Sequence, residues 1–180
     1  NIAPYPLQEA GILTLSIFFH TLSFWLHLMS VTAWVGGIFF FLFVFGPAVH
    51  ALPPAIAIQT LDRGRRLLQF LSWIAIHLAI LTGVVNLLLR AAPTGFSLGP
   101  GYSWILAVKL FLFLAMLLHH SLQAWKYAPK LAALTAQTAA DVPAWPESLL
   151  SHWKRWFVLL KINATLGLIV LLLGLGLSRS

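Results

Sequence analysis

Charged residues are spaced so far apart in this chain that the apolar intervals between them set its architecture. No Asp, Glu, Lys or Arg occurs between Glu9 and Asp62. An unbroken helix over that interval would run roughly 75 Å, against a bilayer hydrocarbon core of about 30 Å. The interval therefore holds one span and its approaches. Pro47, Pro53 and Pro54 close its far end, which places a first span at about residues 19–46, with GILTLSIFF at or entering the interface and NIAPYPLQE as loop. A second span is predicted at about 67–89, bracketed by Arg66 and Arg90 and followed by the turn-forming APTGFSLGPGY. A third is predicted at about 103–125 and a fourth at about 156–177. Between these two, Pro129, Pro143 and Pro146 punctuate a mixed segment whose Ala-rich middle predicts a short surface helix. The pattern is that of an all-α, polytopic membrane protein: one transmembrane domain over 1–180, an antiparallel four-helix bundle with both termini on the same side.

Composition removes the soluble alternative. Hydrophobic residues make up 60% of the 180 residues and charged ones 8%, where a soluble domain carries about 25% charged residues. The net charge of +7, from 11 basic and 4 acidic residues, is distributed along helix ends and not gathered on one face, so no nucleic-acid partner is expected; the surrounding lipid is. There is no cysteine and there are two methionines, which excludes disulfides and iron–sulfur ligation and disfavours a soft Cu(I) conduit. No basic n-region of a signal peptide precedes the apolar run.

Short-loop basic residues set the expected orientation. Arg63, Arg65, Arg66, Lys126, Lys130, Lys154 and Arg155 lie on one side, with Arg90 and Arg179 opposite. Both termini are therefore expected in the periplasm of a bacterial inner membrane. Trp25 and Trp104 at the outer ends, with Trp125, Trp153 and Trp156 at the inner ends, fit interfacial aromatic belts.

Ionisable side chains inside a span are costly and mark sites by default. Five qualify: His27, His77, Lys109, His120 and Lys161. Counted along their helices, His27 lies roughly 12 Å deep and His77 near the middle, a matched layer in which two imidazoles of antiparallel neighbours could clamp an iron porphyrin. The bland reading is two buried histidines bonded across helices. Gly36, Gly37 and Gly83 make room for a flat macrocycle or, equally, for helix packing. His20, His27 and Trp34 recur every seven residues and share one face. Lys109 could meet a haem propionate or a substrate carboxylate, or could snorkel to the interface. His120 and His119, level with His50 and His152, form either a second-choice ligand cluster or a set of solvated interfacial groups. Lys161 reads as snorkelling, and Asn163, Asn86 and Thr82 as packing groups. No acid lies within a span, which argues against a carboxylate proton relay.

The segments HLMSVTAWVGGIFFFLFVFGPAVH, SWILAVKLFLFLAMLLHH and RWFVLLKINATLGLIV resemble the CopD-type membrane domain of copper-resistance proteins and the related HemJ proteins. The resemblance implies a small helical bundle. In its HemJ branch such a bundle binds haem b and takes part in protoporphyrinogen oxidation; in its CopD branch it is associated with copper uptake. It makes His27 the haem-linked histidine and Lys109 the functional lysine. The function expected is therefore a haem b protein of transmembrane or quinone-linked electron transfer, with His27 and His77 as ligands and Lys109, Trp34 and Gly37 lining the site. It would act as an oxidoreductase or as an electron-transfer subunit beside other membrane or cytochrome subunits. The alternatives are a copper-uptake protein, with His120 and His50 as further ligands, and a structural subunit without cofactor.

Overall fold

The computed structural model describes residues 6–139 and 141–177. Six α-helices are seen among them: α1 (Pro6–Phe40), α2 (Gly46–His50), α3 (Pro54–Ala91), α4 (Pro100–Leu122), α5 (Ala128–Ala136) and α6 (Glu147–Leu177). No strand occurs among the described residues. Four stretches are long and apolar enough to cross a bilayer: Ile17–His50, Pro54–Thr94, Pro100–Ala136 and Glu147–Gly176. The expected four-span bundle is present, and every span is longer than its apolar core alone required.

The prolines explain much of that extra length. Proline removes an N–H donor and its ring crowds the carbonyl four residues back, so Pro47 and Pro129 were expected to end helices. Each instead follows a widened π turn, Phe41–Phe45 and Gln123–Tyr127. The first turn ends with the Gly46 N–H donating to Phe41 O, one residue further back than in an α-helix, which relieves the crowding. The break between the first two spans falls at Ala51–Pro53, and Pro54 opens α3 at the position where a missing N–H costs nothing. Likewise Pro6 opens α1, so residues 6–9 are helical where the sequence predicted loop; residues 1–5 lie outside the described region.

Because α3 begins at Pro54, Arg63, Arg65 and Arg66 belong to a helix and not to a loop. Asp62 and Arg65 are both buried there, with Asp62 Oδ1 accepting from Arg65 Nε at 3.0 Å and from Nη2 at 2.6 Å. The exposed Arg66 donates to the other carboxylate oxygen. Charges out of water are tolerated only when paired and hydrogen-bonded in this way.

Packing joins consecutive spans into two hairpins, α1 with α3 and α4 with α6, and α1 also crosses α6. At that crossing Gly167 admits Val35 so closely that a Cβ would stand 2.7 Å from Val35 Cγ2. The core includes Trp34, Ile38, Ile58, Ile76, Met116 and Leu160. Trp153 and Trp156 join it, packed on Phe41 and Phe157, whereas Trp25, Trp104 and Trp125 stay exposed where an aromatic belt would lie. The predicted short helix exists as α5, and it buries Leu131 against the bundle instead of lying free on a surface. By contrast α3 and α4 meet only through long side chains, Trp73 against His120 and Arg90 over Tyr102, and their backbones do not pack closely.

Candidate ligand cavity between the spans

The half of the bundle that carries the turn between α3 and α4 holds a partly open cavity of about 390 Å³, within the 300–1,000 Å³ usual for small-molecule and cofactor sites. All four spans contribute. From α1 come His20, Phe24, His27 and Val31; from α3, Ala79, Gly83, Asn86 and Arg90; from α4, Tyr102, Lys109 and Phe113; from α6, Val170 and Gly174. Its wall is mostly apolar, with the polar groups set at a few points.

His27 is the best-positioned of these. Its Nδ1 lies 3.0 Å from Ala79 O and 3.2 Å from Thr82 Oγ1. A carbonyl oxygen only accepts, so Nδ1 carries the proton and Nε2 keeps its lone pair. This is the arrangement by which a metal-ligating imidazole is held in one tautomer and orientation. Thr82 is itself fixed, its hydroxyl donating to Leu78 O at 2.6 Å. Gly83 supplies clearance, since a Cβ there would meet His27 Cε1 at 3.1 Å.

Two cations face the same space. Lys109 lies against Gly174 of α6, and Arg90 stacks over the Tyr102 ring at 4.3 Å from its centroid. Asn86 adds a buried Oδ1 without a protein hydrogen-bond partner. No acid among the described residues lines the cavity. The lining thus suits a largely apolar ligand with an anionic end, and it offers one neutral imidazole to a metal.

The predicted site residues divide sharply. His27 and Lys109 come together in the cavity, with Gly83 against His27 and Val31 and Phe113 beside them. His77 does not join them: its ring is exposed, turned back so that Nδ1 contacts Trp73 O of its own helix at 2.6 Å. Trp34 is buried at the cavity's far side, edge-on to both Phe113 and His120. Gly37 packs near Leu68, away from the cavity lining. His120 is buried in the other half of the bundle, and His50 is exposed against Trp145. No cluster of three or more His, Cys, Asp or Glu residues able to hold a metal ion occurs among the described residues. Arg90, Tyr102 and Asn86 were not singled out as site residues by sequence reasoning. A signal existed: Ala79, Gly83, Asn86 and Arg90 follow the three-and-four spacing of one helix face. No family model matches the chain, and neither known proteins nor solved structures offer a match.

Proposed function

We propose that this chain is an integral membrane haem b protein of electron transfer, with His27 as the protein's axial ligand. The observation that carries the reading is His27 itself: an imidazole pinned through Nδ1 to Ala79 O, its Nε2 left with a lone pair, on the wall of a largely apolar cavity that has two cations and, among the described residues, no acid. A porphyrin needs an apolar slot for its ring, a nitrogen for its iron and cations for its propionates, and the lining offers each. Ala79 and Thr82 fix the His27 ring; His27 would bind the metal, and Lys109 and Arg90 would hold the carboxylates. Bound there, the haem supplies one-electron chemistry.

The donor set supports ligation from one side only. His77 is turned away, and His20, two turns from His27 on one helix, is separated from it by about 10 Å of rise, too far to share one iron. His27 is accordingly the one residue of the lining that would bind the iron. The resemblance to the HemJ and CopD group points the same way for His27 and Lys109. The basic residues put the termini in the periplasm of a bacterial inner membrane. The cavity's partly open, largely apolar wall suits an amphiphile such as a quinone, and other membrane or cytochrome subunits are the natural electron partners.

Optical spectra of the purified protein, oxidised and dithionite-reduced, test this. A b-type reduced spectrum that shifts on adding carbon monoxide is the expected result. Failure to acquire haem even after addition of hemin would overturn the reading, and bound copper in its place would favour the copper-uptake alternative.

A further inference from the structure

The other half of the bundle holds a second, much smaller cavity, of about 10 Å³, lined by Ser72, Gln69, His120 and Gln123 among apolar side chains. His120 is 5% exposed, and its Nε2 has no protein hydrogen-bond partner among the described residues. A buried polar atom of this kind is almost always satisfied, by protein or by an ordered water.

The groups around it have complementary valences left over. Gln69 Oε1 accepts from Arg65 Nη1 at 3.3 Å, which leaves its NH₂ as a donor. Gln123 Nε2 donates to Trp156 O at 3.1 Å, which leaves its Oε1 as an acceptor. The Ser72 hydroxyl can do either. A water needs a space of about 10–15 Å³ and two to four polar partners, and this cavity supplies both for one molecule.

We infer that a single structural water is bound here, accepting from the Ser72 hydroxyl and donating to His120 Nε2 and Gln123 Oε1. Arg65 and Asp62 continue the polar column from Gln69 toward the arginine-rich end of the bundle, the side from which this water exchanges. The His120 ring is clamped edge-on by Trp34 and Trp73, with centroids at 5.9 and 4.9 Å, so Nε2 cannot swing away to find another partner. The two cavities share no lining residue, and the inference does not rest on what the larger one binds.

Magic-angle-spinning NMR of the ¹⁵N,¹³C-labelled protein in lipid bilayers tests it, with His120 assigned through the adjacent His119–His120 pair. Magnetisation transfer from water protons to His120 Nε2 is expected, at a rate showing a bound water. Ser72→Ala should reduce that transfer at least twofold. Absence of transfer to His120 in the wild type would overturn the inference, and transfer unchanged in S72A would overturn the bridging arrangement.

Discussion

Gly83→Ala separates the cavity account from a general packing account, because its predicted effect falls on the ligand and not on the fold. A Cβ at Gly83 would stand 3.1 Å from His27 Cε1 and 3.4 Å from Nδ1, where carbon contacts are optimal at about 3.5–4.0 Å. The imidazole must therefore retreat by roughly 0.5 Å. It starts 3.0 Å from Ala79 O, and a hydrogen bond stretched by that amount passes the useful limit of about 3.2 Å. The loss, about 0.5–1.5 kcal/mol, is offset by the gain of about 0.8–1 kcal/mol for alanine over glycine inside a helix. Thermal stability should thus change by no more than about 2–4 °C. Displacing an imidazole from its orienting partner, however, typically costs about 10–100-fold in metal affinity. Haem titration of the depleted protein should show a Kd raised about tenfold. Gly36→Ala is the control, since a Cβ there meets nothing within 4 Å and should leave haem binding unchanged. A G83A protein that bound haem with the wild-type Kd and spectrum would refute the reasoning.

Three further outcomes follow from particular contacts. Gly167→Ala puts a Cβ 2.7 Å from Val35 Cγ2 and 3.2 Å from Met116 Cε; the stiff β-branched Val35 cannot yield, so the α1–α6 crossing opens at a cost of about 1–3 kcal/mol, read as a lower melting temperature. Asp62→Asn leaves Arg65 buried without its counter-charge and should cost about 3–5 kcal/mol, whereas removing the exposed Arg66 partner costs less than about 1 kcal/mol; denaturation in detergent compares the two. Lys109→Ala removes a positive charge from the cavity proposed to hold haem, which favours the oxidised iron, so a redox titration should give a lower midpoint potential with haem retained.

How legible the molecule was depends on which coordinate a residue's role requires. The four spans follow from apolar length and charge spacing alone, and these are one-dimensional properties that sequence displays directly. The depth of His27 and His77 is likewise one-dimensional, and it suggested a pair. Pairing also needs the angle around the helix. At about 100° per residue, His77 lies about 200° from Ala79, and so behind the face formed by Ala79, Gly83, Asn86 and Arg90. That stripe was present in the sequence and would have directed attention to Arg90. Trp153 and Trp156 were expected in an interfacial belt for the same lack of an angle, and they are core residues. The π turns before Pro47 and Pro129 depend on helix continuation past positions that ordinarily stop it, and local propensity carries no sign of that; the buried Asp62–Arg65 pair depends on α3 starting at Pro54, well before the apolar stretch that defined the span.

The central claim is that one cavity histidine, His27, holds a haem that His77 does not touch. The most direct measurement is the reduced-minus-oxidised spectrum of His27→Ala and His77→Ala proteins, each shown by circular dichroism to keep its helices, beside the wild type. The account predicts that H27A loses or alters the haem signal while H77A retains it unchanged. A wild-type spectrum in H27A, or its loss in H77A, would contradict it.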